Sequence, residues 1–169
     1  MKLEAHFQSR NNSLFFIDGA ECPVVGCPVL DVRTCMQNAA FAAQKESVCC
    51  VQIPWTAVGC DGSSYNEAFL AELRDWLKSL EGTSHFVFMQ PLADCAAVSS
   101  SQKEALAESF THCARRIKDC SAVIGFAIPD LFDGSESAAF MAALRKKHAH
   151  YCFFSRIPAH LVDSSVVQF

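Results

Sequence analysis

No stretch of this 169-residue chain approaches an uninterrupted apolar run of ~18 residues, so no transmembrane helix is expected. The opening segment, MKLEAHFQSRNNSLFFIDG, lacks the basic-then-apolar layout of a signal peptide. Basic residues are not in excess: 14 Lys and Arg stand against 18 Asp and Glu, which offers no attraction to nucleic acid or a membrane surface. Neither a G-x-G-x-x-G nor a P-loop sequence is present, which removes the usual nucleotide cradles. No Pro-Gly-Ser linker or low-complexity tract divides the chain. These absences leave a soluble, cytoplasmic, single-domain protein with no expected cofactor. With 51% apolar residues, it can bury a sizeable core.

Cysteine, by contrast, is plentiful. The chain has ten, yet no C-x-x-C pair. Structural zinc sites draw four donors together from two close ligand pairs, so no metal site is expected. Cys50, Cys113 and Cys120 fall on apolar segments, where a thiol packs as a small hydrophobe. The expectation is reduced core thiols and no disulfide framework. Cys60 and Cys95 follow strand ends and are expected to be accessible, but no His-plus-carboxylate set marks either as a nucleophile.

Apolar segments alternate with amphipathic ones. SLFFIDGAECPVVGCPVLD reads as a hairpin about Asp18-Gly19 followed by a strand. Residues 32–45 place Val32, Met36, Ala39, Ala40 and Ala43 on one helical face. SVCCVQIPWTAV is a strand stopped by Pro54. Ser64-x-x-Glu67 reads as a capping box opening a helix striped by Phe69, Leu73, Trp76, Leu77 and Leu80. HFVFMQPLAD is the next strand, and Ser101-x-x-Glu104 caps a helix carrying Leu106, Phe110, Cys113 and Ile117. AVIGFAIPDLF, a helix over SESAAFMAALRKKH and a strand YCFFSRI complete the pattern, while PAHLVDSSVVQF stays ambiguous. Parallel strands are expected near 14–17 or 24–29, 48–53, 85–90, 122–128 and 151–155, joined by right-handed crossovers.

The strand ends VVGCPVLD, VQIPWTAV, VFMQPLAD and IGFAIPDLF, taken in order, resemble the N-terminal half of the cellulase-like clan of TIM-barrel glycoside hydrolases (family 5, clan A). FFIDGAECPVVGC matches the clan's entry hairpin, F-x-x-D/N-G leading to a later Gly. QIPW matches the end of its second strand, R-I-P-x-x-W. FTHCARRIKDCSAVIGFAIPD is close to its F-x-x-x-x-R-x-K-D-x-P-x-V-I-G-F-E. The similarity spans residues 14–132. It implies an α/β fold: a TIM-barrel-like half barrel of about four βα units plus a fifth strand and an N-terminal hairpin.

The resemblance also marks departures. The clan's arginine falls on Gln52. The Asn-Glu carrying the acid/base falls on Pro129-Asp130 or Asp130-Leu131, so Asp130 replaces the Glu or Leu131 does. The clan's nucleophile belongs to a seventh strand, which no segment supplies. Glycoside hydrolysis uses two carboxyl groups facing one another across the bond. Asp130, desolvated by Phe132 if the ancestral site persists, is the first candidate catalytic residue and Asp94 the second; the alternative for Asp130 is a turn residue accepting backbone N–H groups. Gln52, Trp55, Tyr65, Gln90 and Arg156 are the candidate substrate-binding residues, with Trp55 offering either a stacking ring or a cover for the barrel mouth. Asp61 shares the Tyr65 loop and reads chiefly as a turn residue. His148 and His150 read as solvated surface beside a lysine run, and Arg115 and Arg116 as outer-face charges.

Two functions follow. One is a degenerate or incomplete carbohydrate-active barrel domain that takes a carbohydrate ligand. The other is a non-catalytic interaction or assembly protein that keeps only the scaffold. A half barrel has open edges, and Phe86, Phe88, Phe126, Phe153 and Phe154 offer much aromatic surface, so a homo-oligomer closing the barrel is expected. The alternative is a sheet flattened into a three-layer sandwich.

Overall fold

The computed structural model describes residues 3–37, 41, 45, 47–60, 64–95 and 99–169. Ala39, Ala40, Ala43 and Asp61 lie outside the described residues. Asn11 and Asn12 both adopt positive φ (50° and 58°), which short polar side chains tolerate and a tight hairpin requires. They join β1 (Phe7–Arg10) to β2 (Ser13–Phe16) as an antiparallel pair. The expected Asp18-Gly19 turn then joins β2 to β3 (Glu21–Cys22). Residues 14–17 therefore belong to a separate antiparallel sheet. The first parallel strand is β4 (Val29–Asp31), at the edge of the 24–29 alternative.

β4 starts a six-stranded parallel sheet with β5 (Val48–Pro54), β6 (Phe86–Leu92), β7 (Val123–Ala127), β8 (Cys152–Ser155) and β9 (Val166–Gln168), in chain order across the sheet. β9 is the strand hidden in the ambiguous tail. Helices fill the crossovers: α1 (Val32–Gln37), the single turn α2 (Trp55–Val58), α3 (Glu67–Ser79), α4 (Ser100–Arg116) and α5 (Gly134–Arg145). The architecture is a parallel α/β half barrel preceded by a hairpin sheet.

Two expected caps shift in register. Asn66, not Ser64, accepts from the Phe69 N–H to start α3. Ser99 and Gln102, not Ser101 and Glu104, form the capping box of α4. Asn66 lies two residues after Ser64 and Ser99 two before Ser101, and each side-chain oxygen accepts from an orphan N–H group at the helix start. Asp133 and Glu136 form the capping box of α5.

The strand period of two divides the core cleanly. Cys49, Val51, Ile53, Val87 and Met89 face the helices and pack with Leu73, Leu77, Leu106, Phe110, Phe140 and Leu144. Val48, Cys50, Phe88, Ile124, Cys152 and Phe154 face the other way, against Phe7, Leu14 and Cys22 of the hairpin sheet. Phe88 stacks on Phe154 at 4.0 Å and meets Phe169 edge-on at 4.9 Å. Phe126 and Phe153 lie in the helix layer, and Phe86 packs edge-on against Phe7. The aromatic surface expected to need a second copy is covered by the chain itself. Asn12 fastens that cover: its side-chain amide donates to the Leu161, Asp163 and Val166 carbonyls, and Gln168 N–H donates to its carbonyl.

The motif R-x-K-D has a structural reading too. Asp119 accepts from Arg74 Nε (3.1 Å) and lies beside Lys78, tying the end of α4 to α3. The Arg74 guanidinium holds the Asp119 carboxyl below the ordinary carboxylate range.

Gly125 is the tightest point of the sheet. A Cβ there would lie 1.8 Å from the Cys152 carbonyl oxygen, where β7 and β8 run side by side. Gly125→Ala is expected to lower unfolding free energy by on the order of 4 kcal/mol or to abolish folding, read by urea denaturation against the wild type. Full retention of the midpoint would contradict this packing.

Candidate functional site

In a parallel sheet, side chains from different strands converge at the strands' C-terminal ends, and chemistry concentrates there. Asp31, Gln52 and Gln90 pair in register across β4, β5 and β6. Gln90, 5% exposed, accepts from Gln52 Nε2 at 3.0 Å and from the Cys50 thiol at 3.5 Å. Where the resemblance expects a guanidinium, the rim holds a neutral amide pair. Burial pushes the Cys50 thiol far up, with Cys27 adding to the rise and Arg156 opposing it.

The strand-end carboxylates are put to local use. Asp31 accepts from the Arg33 and Thr34 N–H groups and so caps α1. Asp94 accepts from the Thr56 N–H at 3.0 Å and from the Thr56 hydroxyl, capping α2 from the neighbouring loop. Asp130 is exposed after β7, and no hydrogen bond or ion pair to it occurs among the described residues. Phe132 does not cover it: that ring turns into the helix layer, edge-on to Phe140 at 5.8 Å.

Trp55 is no stacking platform. It is 2% exposed, and its Nε1–H donates to Ser109 Oγ at 2.9 Å, because α2 begins at this residue and turns the ring onto α4. Tyr65 stacks face to face on His112 at 4.0 Å, and His112 pairs with Glu67 at 2.8 Å. This puts Tyr65 at the outer wall, lining a cleft of about 810 Å³ between α4 and α5 that is crossed by the Lys103–Glu136 ion pair. Arg116 is also paired with Glu67. Arg156 lies over the Phe169 ring at 4.4 Å and donates from Nε to the Phe169 main-chain oxygen. Of the candidates, Gln52 and Gln90 hydrogen-bond to one another, and Arg156 packs on Phe169. Asp94, Trp55 and Tyr65 stand apart.

At the level of sequence, no family model and no curated protein matches the chain. Solved structures do. An endogalactoceramidase superposes with TM-score 0.65 at 13% identity, covering 98% of this chain and 59% of the other. The mannanase catalytic domain of Streptomyces sp. SirexAA-E gives 0.61 at 8% identity, with 91% and 52% covered. A GH5_18 protein from Bifidobacterium longum subsp. infantis gives 0.50 at 10%, with 73% and 37% covered. This is the cellulase-like fold of glycoside hydrolase family 5. The chain spans between 37% and 59% of those family 5 barrels.

Within that fold, three features escaped the sequence. Cys60 and Cys95 form a disulfide between the loops after β5 and β6, correcting the expectation of reduced thiols throughout; the other eight cysteines are buried. Buried His160 donates from Nε2 to the Phe132 carbonyl (2.7 Å) and accepts at Nδ1 from the Ser155 hydroxyl (2.8 Å). It thereby ties the end of β8 to the loop carrying Asp130. A carbonyl can only accept, which fixes the tautomer. No short motif marks either feature, since each joins distant loops.

His148 is the third correction. It is buried, not solvated, and stacks on Tyr151 at 4.7 Å. Burial, helped by His150, lowers its pKa to about 4. The folded state thus resists the proton that the unfolded chain takes up below about 6.5. Between these values the unfolded state binds more protons, so stability falls as pH drops from about 6.5 to about 4. His148→Phe is expected to flatten that part of the profile in denaturation curves taken across this range. An unchanged slope would remove His148 as its source.

Proposed function

We propose that this chain is a glycosidase-derived domain that binds carbohydrate at its C-terminal strand rim and does not hydrolyse glycosides on its own. One observation carries the reading: Asp31 and Asp94 cap helices, which leaves Asp130 as the lone uncommitted carboxylate among the rim candidates. Hydrolysis needs a second carboxyl about 5–5.5 Å away for retention or about 6.5–9.5 Å away for inversion. Gln52, Gln90, Asp130 and Arg156 offer instead donors and acceptors of the kind that bind sugar hydroxyls. Support for a saccharide ligand comes from the structural neighbours, which include mannanases and a GH5_18 protein in complex with Manb1-4GlcNAc.

The scaffold-only reading, an interaction or assembly protein, draws on a different observation: Trp55 is withdrawn into the core, and Arg156 covers Phe169. A cytoplasmic setting belongs to the same proposal, supported by eight buried cysteines outside the disulfide. So does a homo-oligomer along β4, which pairs on one side only among the described residues.

The test is a panel of β-mannan, β-1,4-mannooligosaccharides and galactosylceramide, assayed for cleavage and, by calorimetry, for binding. The expected result is no cleavage by the wild type or by Asp130→Asn, with saturable binding of one saccharide class. Gln52→Ala should weaken that binding by about fivefold, the loss of roughly one hydrogen bond. Turnover that disappears in Asp130→Asn would overturn the non-hydrolytic reading. No binding to any member at millimolar concentration would favour the scaffold-only reading.

A further inference from the structure

Cys60, Asp94 and Cys95 come together from two loops: Cys60 follows α2, while Asp94 and Cys95 follow β6. One donor atom of each, two Sγ and a carboxylate oxygen, lies within 4.8 Å of the other two. We propose that in the reduced protein these three residues hold a divalent cation of the zinc class, and that the Cys60–Cys95 disulfide is the oxidised alternative of the same site.

The chemistry of the donors favours this cation. Zinc takes thiolate at ≈ 2.3 Å and carboxylate at ≈ 2.0–2.2 Å, and tetrahedral angles then place donors roughly 3.5–3.8 Å apart. With the S–S bond reduced and all three donor atoms within 4.8 Å of one another, side-chain rotation brings that spacing within reach. The Cα atoms of Cys60 and Cys95 are 7.2 Å apart, beyond the usual disulfide span of about 4.4–6.8 Å. Two thiolates bridged by an ion need no closer approach. Asp94 is already oriented, because the Thr56 N–H and hydroxyl each bind one of its oxygens, and each oxygen keeps a further lone pair for a metal.

Access is also provided. Asp94 is exposed and both cysteines are half-buried, whereas the other eight cysteines are buried. A cleft of about 400 Å³ lined by Thr56, Gly59, Cys60, Ser64, Tyr65 and Asn66 adjoins the site. Three protein donors with solvent alongside leave a fourth position for water.

The two states interconvert with a balanced equation. The two thiolates lose two electrons and form the S–S bond, and the cation leaves. A small-molecule disulfide such as glutathione disulfide accepts the electrons with two protons and becomes two thiols. This inference does not rest on the carbohydrate reading, and it fails or stands apart from it.

The experiment uses the full chain, reduced and freed of metal, titrated with Co²⁺. One equivalent should bind and give the near-ultraviolet sulfur-to-cobalt charge-transfer absorption, and Zn²⁺ should displace it. Cys60→Ser and Cys95→Ser should each weaken binding by about tenfold or more and lose that absorption, with far-ultraviolet circular dichroism reporting the fold. Asp94→Asn should weaken binding while keeping the thiolate absorption. Glutathione disulfide added to the zinc-loaded wild type should release one zinc and consume two of the ten thiols. Failure to bind Co²⁺ at tens of micromolar, unaltered binding in the folded Cys60→Ser/Cys95→Ser double variant, or zinc retained after oxidation would each overturn the proposal.

Discussion

An open half of a barrel has one face that nothing in the barrel plan covers, and the structure depends on how that face is sealed. In a closed barrel the inward side chains of all strands fill the centre together. Among the described residues, Cys50, Phe88, Ile124, Cys152 and Phe154 meet no opposite barrel strands. The hairpin sheet supplies Phe7, Leu14 and Cys22 in their place, and Phe169 closes on Phe88 from the other end. Each fully buried phenylalanine contributes about 1.5–3 kcal/mol relative to exposure, so this cluster is a large share of any net stability. The Asn12 clamp matters because it holds the cover to β9.

That seal reaches up into the candidate site. The Phe88–Phe154 stack and Phe169 share the inner face with Cys50, whose thiol donates to Gln90. A buried amide must be paired, and the two glutamines satisfy one another across neighbouring strands. The arginine that the family resemblance leads one to expect at position 52 would put a charge beside Gln90, with a desolvation cost that the neutral amide avoids. Gln52 and the filled interior are therefore physically consistent with one another.

How much of this was legible in sequence follows from the range of the interactions. The helices over 67–79, 100–116 and 134–145 and the strands over 48–54, 86–92, 123–127 and 152–155 were readable because period and caps are local. Caps slipped where two side-chain oxygens competed within three residues, as Ser64 did with Asn66. β9 was illegible because three residues, Val166–Gln168, carry too little periodicity to stand out. Trp55 was misplaced because the strand ran through Pro54 directly into a helical turn, which rotated the ring from rim to core. The Cys60–Cys95 pairing, the His160 bridge and the burial of His148 depend on chain segments far apart in sequence or on three-dimensional packing, and no spacing rule encodes them.

The rim is cross-tied at nearly every strand end. Asp94 joins the β6 loop to α2, Cys60 joins Cys95, His160 joins the β8 end to the β7 loop, and Arg156 covers Phe169. Enzymes that close on substrate need loops with few such ties, because the elements that move come from the least stable parts of a structure. Here these described loop segments are anchored to neighbours by hydrogen bond, disulfide or ring contact, so opening one means breaking a specific partner. Such a rim can recognise a ligand that fits it as built, with little ordering cost on binding. These ties at the described strand ends suit the proposed binding role, in which a ligand meets a rim already built.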